Sequence, residues 1–287
     1  MIASSFLGMM ISWGSAFSGA PESPFFTITF ALYLLAFVAF SFYGAVRRGG
    51  LARVAVSLLA LGGIAHTVAI GVRWHAAGRF PFANMYEYAN IMAWMAVVSF
   101  LLVLWRFRKP IFGIYVSPLV VVVIVSASML PNDVQQQLVP ALQSFWLPIH
   151  VVLAALGEGA FLVATAASIM YLISQRKIEH GGQPAITLDV LEDINFKALS
   201  IGYPLFTVGG LFAGAIWAYS AWGAFWSWDP KEVGALVIWL FYTLFLHARY
   251  YRGWRGKKAA WMSIIGFVMI LLSFFGNIFL GGQHAYG

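Results

Sequence analysis

The sequence predicts an all-α polytopic membrane protein, a helix bundle with about eight transmembrane helices and both termini on the extracytoplasmic side. Three observations carry this prediction. Of the 287 residues, 61% are hydrophobic and only 9% charged, against roughly 25% charged in an ordinary soluble domain. That excludes a soluble globular fold. With 25 Phe, 12 Trp and 12 Tyr, the chain is too aromatic and too poor in polar residues to be disordered or collagen-like. Apolar runs near the roughly 20 residues that a bilayer crossing needs recur at 25–46, 51–72, 88–105, 111–130, 148–174, 201–217, 233–247 and 259–280. No soluble segment is long enough to separate and no internal repeat is visible, so residues 1–287 read as one integral membrane domain.

The formal charge of +7 would raise the question of a nucleic-acid partner in a soluble protein. Here the basic residues cluster between apolar runs, which is topological anchoring, and no nucleic-acid partner is expected. Arg47, Arg48 and Arg53, then Arg106, Arg108 and Lys109, then Arg176, Lys177 and Lys197, then Arg249, Arg252, Arg255, Lys257 and Lys258 fall on one side. Arg73, Arg79 and Lys231 fall on the other. The positive-inside rule then puts both termini, and the loops after spans 2, 4 and 6, outside the cytoplasm. The first twenty residues lack the basic start and small-residue cleavage pattern of a signal peptide and read as an outer-surface segment. In 132–146, Val134, Leu138, Ala141, Leu142 and Phe145 recur at helical intervals and predict a helix lying flat on that surface. In 183–197, Asp189, Glu192 and Asp193 among Leu188, Leu191 and Ile194 predict a short solvated amphipathic helix. The chain has no cysteine, so it supplies no disulfide, thiolate metal site or thiol nucleophile, and any thiol chemistry belongs to a partner.

The loop at about 217–232 holds Trp217, Trp222, Trp226 and Trp228 together with Tyr219 and Phe225. A membrane-boundary belt explains one or two of these tryptophans. Four in one outward loop, with Gly223 and Pro230 punctuating it, compose a rigid apolar platform suited to a flat aromatic ligand. Asp229 and Glu232 stand where a helix start favours carboxylates, so they read as caps for span 7. Lys231 carries no assignment.

Ionisable side chains at membrane depth are costly and mark function or a partner. His150 opens span 5 and His284 follows span 8, both at the level of the aromatic loop. Their imidazoles can bind one iron from opposite faces, or they are two unrelated interfacial histidines. His247 lies about 20 Å below the outer loop at the helical rise of 1.5 Å per residue, too deep to share a ligand plane with them. It serves either as a separate ligand or as a cation favouring a helix C-terminus. His66 lies about 8 Å inside the outer end of span 2, a depth that does not pair it with His247. His75 and His180 read as solvated loop residues. Glu158, between Gly157 and Gly159, is a carboxylate inside an apolar run, either kept protonated by burial or hydrogen-bonded to His66. Arg73 and Arg79, in the outer loop, have the donors to clamp carboxylates.

The stretch Trp222-Gly-Ala-Phe-Trp226-Ser-Trp228-Asp-Pro-Lys-Glu232 closely resembles the signature of the tryptophan-rich haem-handling proteins of cytochrome c assembly, of the CcsA/ResC type of System II, also labelled CcsB. The likeness extends to 191–217, to 73–88, and to the surroundings of His150 and of Gln283-His284-Ala-Tyr286. Three positions depart from the pattern. Tyr219 stands for the usual Asn, Val233-Gly234 for the usual Thr-Trp, and Glu158 for a more usual aromatic.

The resemblance implies that His150 and His284 are outer haem ligands beside Trp217, Trp222, Trp226, Trp228 and Asp229. It also implies that His247 is an intramembrane haem ligand whose counterpart belongs to a partner subunit of the CcsB/ResB type. Arg73 and Arg79 would then meet haem propionates, with His66 and Glu158 in lesser roles. The ligand would be haem b, and the activity its covalent attachment to apocytochrome c at Cys-X-X-Cys-His, as a synthase subunit served by thiol-reducing thioredoxin-like proteins. The setting would be a bacterial inner membrane or a thylakoid, with the site facing the periplasm or its equivalent. A haem exporter without ligase activity is the rival from the transport class. A b-type electron-transfer protein would want two histidine pairs at matched depths, which this sequence lacks.

Overall fold

The computed structural model describes residues 19–134 and 142–280. Over those residues it is helical: α1 (Ser23–Val46), α2 (Gly49–Ala77), α3 (Met85–Phe107), α4 (Gly113–Ser128), α5 (Trp146–Glu179), α6 (Leu188–Phe206), α7 (Gly214–Trp222), α8 (Pro230–Arg252) and α9 (Gly256–Leu280). A 3₁₀ turn, Pro110–Phe112, leads into α4, and a π-helix, Thr207–Ala213, joins α6 to α7 in one rod. Counted with these joins, eight units among the described residues are long and apolar enough to cross a membrane, the number that hydropathy predicts. The predicted outer segment before residue 19, most of the predicted flat helix (residues 135–141) and His284 lie outside the described residues. Residues 132–134 are not helical.

Local chemistry sets the ends of the spans. Arg47 and Arg108 end α1 and α3 in the left-handed conformation at φ 59 and φ 54, and Asn84 caps α3 by accepting a hydrogen bond from Glu87 N at 2.9 Å. Asp229 and Glu232 form a reciprocal capping box at the start of α8, as their positions in the sequence predict. Because successive spans reverse direction, Arg47, Arg106, Arg108, Lys109, Arg176, Lys177, Arg252 and Lys257 gather at one rim of the bundle. The turn at 78–84 and the tryptophan loop at 223–229 share the other. These are the basic rim and the aromatic rim.

The central element is α5, packed by α3, α4, α6, the π segment and α9. Of its most apolar window 67% is buried, against 22% for α8. Small residues permit this position, because lipid supplies no hydrophobic drive between helices and close backbone packing must replace it. A Cβ on Gly157 would lie 2.9 Å from Gly202 O and Phe206 N of α6, and one on Gly159 would lie 3.1 Å from the Met95 backbone of α3.

Two sequence expectations are corrected by this packing. Residues 188–197 are not a separate solvated helix but the first turns of α6, with Leu191, Ile194 and Asn195 buried. Asn195 Nδ2 donates to Ala164 O, Ser168 Oγ and Ser263 Oγ at 3.1, 2.8 and 2.9 Å. Glu192 pairs with Arg249 at 3.1 Å and so is tied into the bundle, while Asp189 is exposed and Asp193 pairs with Lys197 on the surface of the same helix. Arg73 is not in an outer loop either. It lies within α2, buried, and donates to Glu22 and Glu87 and to the carbonyls of Asn132 and Asp133. Its guanidinium thereby ties α1, α2, α3 and the segment after α4 together and has no free face for a ligand.

Breaking a buried pair leaves an uncompensated charge, so Arg73→Met is expected to destabilise the fold by about 3–5 kcal/mol. A clear drop in the thermal unfolding temperature of the detergent-purified protein would register this. An unchanged temperature would show that the network is not stabilising.

Candidate ligand-binding site

A cavity with about 830 Å³ of space between its walls, part of it open to solvent, lies at the aromatic rim. Its walls come from α3 (Met85, Tyr88), α5 (His150, Ala154, Glu158), the π segment and α7 (Gly210, Gly214, Trp217), the tryptophan loop (Phe225, Trp226), α8 (Lys231, Ala235, Ile238) and α9 (Ile270, Ser273, Phe274). From His150 to Glu158 the wall of α5 descends about 12 Å at the helical rise, so the cavity is a slot running into the bundle.

His150 is held in it by one hydrogen bond and one ring contact. Nδ1 lies 2.8 Å from Gly209 O. A carbonyl only accepts, so Nδ1 carries the hydrogen, and in the neutral imidazole Nε2 holds the lone pair. The imidazole also stacks on Trp217, with ring planes within 2° and centroids 5.8 Å apart. The carbonyl is placed by the π-helix, in which Gly214 N also donates to Gly209 O. Two glycines let this backbone approach α5. A Cβ on Gly209 would fall 2.4 Å from Leu153 Cβ and 2.5 Å from Ala154 N, and one on Gly214 would fall 3.0 Å from the His150 ring. π segments of this kind occur often at functional sites. A metal-binding histidine typically has its second nitrogen held in this way.

The predicted aromatic platform is brought together in part. Trp217 is buried and meets Trp222 edge-on at 5.0 Å, and Trp226 and Phe225 line the cavity. Trp228 stands apart from the wall, 71% exposed at the rim, its edge against Trp226 at 5.8 Å. Its φ of 61 lies in the left-handed region. The loop is held by Glu232 Oε2, which accepts from Ser227 N, Ser227 Oγ and Asp229 N at 2.8, 3.1 and 3.3 Å.

Of the other predicted residues, Glu158 lines the cavity and Arg73, Arg79, His66 and His247 are not among its walls, while His284 lies outside the described residues. His66 is fully buried among α1, α2 and α3; its Nδ1 accepts from Tyr33 OH at 3.2 Å and its Nε2 donates to Asn90 Oδ1 at 3.1 Å. A pairing of His66 with Glu158 is therefore corrected. Glu158 Oε2 instead accepts from Tyr88 OH at 2.6 Å. The sequence places His66 too near the rim because α2 continues to Ala77. Arg79 donates to Glu87 Oε2 at 3.1 Å and to Phe80 O at 3.0 Å. His247 is exposed on α8, stacked on Tyr251 at 4.7 Å, about 25 Å along the helix from Pro230 and toward the basic rim. His75 and His180 are exposed.

Residues that line the cavity without having been singled out in the sequence include Met85, Tyr88, Phe206 and Phe274. The Gly209-Gly210 pair inside a predicted span is a visible signal for Phe206 alone, since it marks a close approach to that ring and to α5.

This arrangement defines a class: a polytopic integral membrane protein with one deep aromatic-walled cavity and an oriented imidazole at one membrane rim. The chain belongs to the cytochrome c assembly protein family, whose family model matches residues 82–284. It is 33% identical over 314 residues to the cytochrome c biogenesis protein CcsA of Prochlorococcus marinus (strain MIT 9303), covering 98% of each chain. It is 35% identical over 246 residues to that of Guillardia theta, covering 77% of this chain and 81% of the relative, and 35% identical over 289 residues to that of Synechococcus sp. (strain CC9605). Among solved structures, the cytochrome c haem lyase CcmF superposes with a TM-score of 0.70 at 18% identity over 91% of this chain. The chain spans about half of that protein, 48% of its length, and the likeness is one of fold.

Proposed function

We propose that the cavity binds haem as a substrate, in the haem b form, and that the chain presents it to apocytochrome c for covalent attachment on the extracytoplasmic face of the membrane. The observation that carries this reading is His150. Its Nδ1 is committed to Gly209 O, its ring lies flat on Trp217, and it lines a slot walled largely by apolar and aromatic side chains. Among the described residues no three His, Asp or Glu side chains gather to hold a bare ion. A single oriented imidazole fits an iron whose equatorial ligands come from a porphyrin. The second axial ligand on this reading is His284, which follows α9; that helix brings Ser273 and Phe274 to the cavity wall.

The clustering of basic residues at the opposite rim supports an extracytoplasmic position for the cavity, by the positive-inside rule. The membrane on this reading is a bacterial inner membrane or a thylakoid.

The chain's own contribution is orientation. His150 and His284 fix the iron, Trp217, Trp222 and Trp226 with Phe225 cover the ring faces, and Trp228 with Asp229 shapes the rim where a Cys-X-X-Cys-His segment arrives. Each cysteine S–H adds across a vinyl C=C, sulfur to one carbon and hydrogen to the other, so no oxidant is needed and the protein supplies no nucleophile. With no cysteine of its own, the chain depends on thioredoxin-like reductants to keep the client thiols reduced. His247, exposed on α8 with Leu240, Leu244 and Tyr251 at helical spacing on one face, has the setting of an intramembrane ligand completed by a CcsB/ResB-type partner subunit.

The test is reconstitution. The purified complex of this chain with its partner, given haem and a reduced Cys-X-X-Cys-His peptide, is expected to yield a thioether product detectable by mass. Haem bound and released with no covalent product would replace the synthase reading with that of an exporter. Failure to bind haem would remove both.

A further inference from the structure

Among the described residues lining the cavity, Lys231 is the one lysine or arginine, beside the carboxylates of Glu158 and Glu232. Both acids are already served: Glu158 by Tyr88 OH at 2.6 Å, and Glu232 Oε2 by Ser227 and the Asp229 N–H. Asp229 caps α8 through Lys231 N at 3.1 Å. The Lys231 ammonium is different. It lies 5.1 Å from the centroid of the Tyr88 ring, a cation–π contact, and it makes no hydrogen bond and no ion pair at contact distance among the described residues, Glu158 and Asp229 acting on it only through space. The indole N–H of Trp226, in the same wall, is buried and likewise has no acceptor among the described residues. Two donors without acceptors in one enclosed, apolar slot are costly unless a ligand supplies the acceptors.

We propose that Lys231 is the counter-ion for a carboxylate of the molecule that fills this cavity, held ready over the Tyr88 ring that Glu158 fixes. This rests on the haem reading above, under which the carboxylate is a propionate of the porphyrin. The two arginines that the sequence suggests for this task are engaged elsewhere, Arg73 with Glu22 and Glu87 and Arg79 with Glu87. Lys231 lines both the main cavity and the smaller one beside it, and His150 does the same. A ligand held by His150 on that reading shares its cavity with Lys231, whose ammonium sits on a flexible four-carbon stem. Glu232 keeps Oε1 without a partner, so an anion is repelled from that wall and is held only where Lys231 stands.

The consequence is selectivity for the free acid, and it is tested by titrating the purified complex with haem and with haem dimethyl ester, reading the absorption of the iron–imidazole band. The wild type is expected to bind the free acid about 10–100-fold more tightly, the size of one charge-assisted hydrogen bond. Lys231→Met is expected to abolish that preference by weakening the free acid alone, and Lys231→Arg to keep it. Equal binding of acid and ester by the wild type would overturn the proposal while leaving the haem site intact, and so would equal weakening of both by Lys231→Met. Binding of neither compound by the wild type would overturn the haem reading and this inference together.

Discussion

His150→Ala is expected to empty the cavity of its ligand. Among the described residues the imidazole is the one histidine lining the slot, so on the proposed reading its loss should exceed the about 10–100-fold that removal of an outer-shell partner typically costs in affinity. Haem content of the purified complex and the yield of holocytochrome c in the same cells should fall together. The fold should survive, because Ala leaves the Gly157–Gly202 seam untouched and removes a side chain whose one hydrogen bond among the described residues is to Gly209 O. A thermal unfolding temperature close to that of the wild type would confirm that the loss is local. Full haem content and an unaltered ligand spectrum in this variant would defeat the outer-site assignment.

Gly209→Ala should nearly reproduce that loss without touching a ligand. The added Cβ meets the α5 backbone at 2.5 Å, a contact that a flexible side chain cannot relieve. The π segment must therefore move away from α5 and take the Gly209 carbonyl out of reach of His150 Nδ1. The imidazole then loses both its tautomer lock and its orientation, for an expected 10–100-fold loss of haem affinity, about what an outer-shell partner is worth. Gly71→Ala, on an exposed face of α2 where a Cβ meets nothing, is the matched control. An altered iron-ligand spectrum in the Gly209 variant beside an unchanged control separates orientation from general destabilisation. Wild-type affinity in both would show that the π-helix does not position His150.

How far each part was legible follows from the range of the forces involved. Hydropathy is local and additive, so every span could be read directly, and the capping box of Asp229 and Glu232 is visible because its partners are three residues apart. The start of the sixth span was misread because Asp189, Glu192 and Asp193 suggest solvent, whereas Glu192 is matched by Arg249 from another helix. Arg73 was misplaced for the same reason. Its partners Glu22, Glu87, Asn132 and Asp133 are dispersed along the chain, and no sequence window contains them.

What the sequence determined by itself is the class of molecule: eight apolar spans, a basic rim opposed to an aromatic one, and a tryptophan signature that names its family. Those properties are sums over neighbouring residues. The tertiary structure alone decided which polar side chains are consumed in holding the bundle together and which remain for a ligand. Arg73, Arg79 and His66 fall in the first group, while His150 and Lys231 line the cavity and fall in the second on the reading proposed above. The physical reason is that a buried charge or donor is defined by its partners, and in a helix bundle those partners come from spans far apart in the chain.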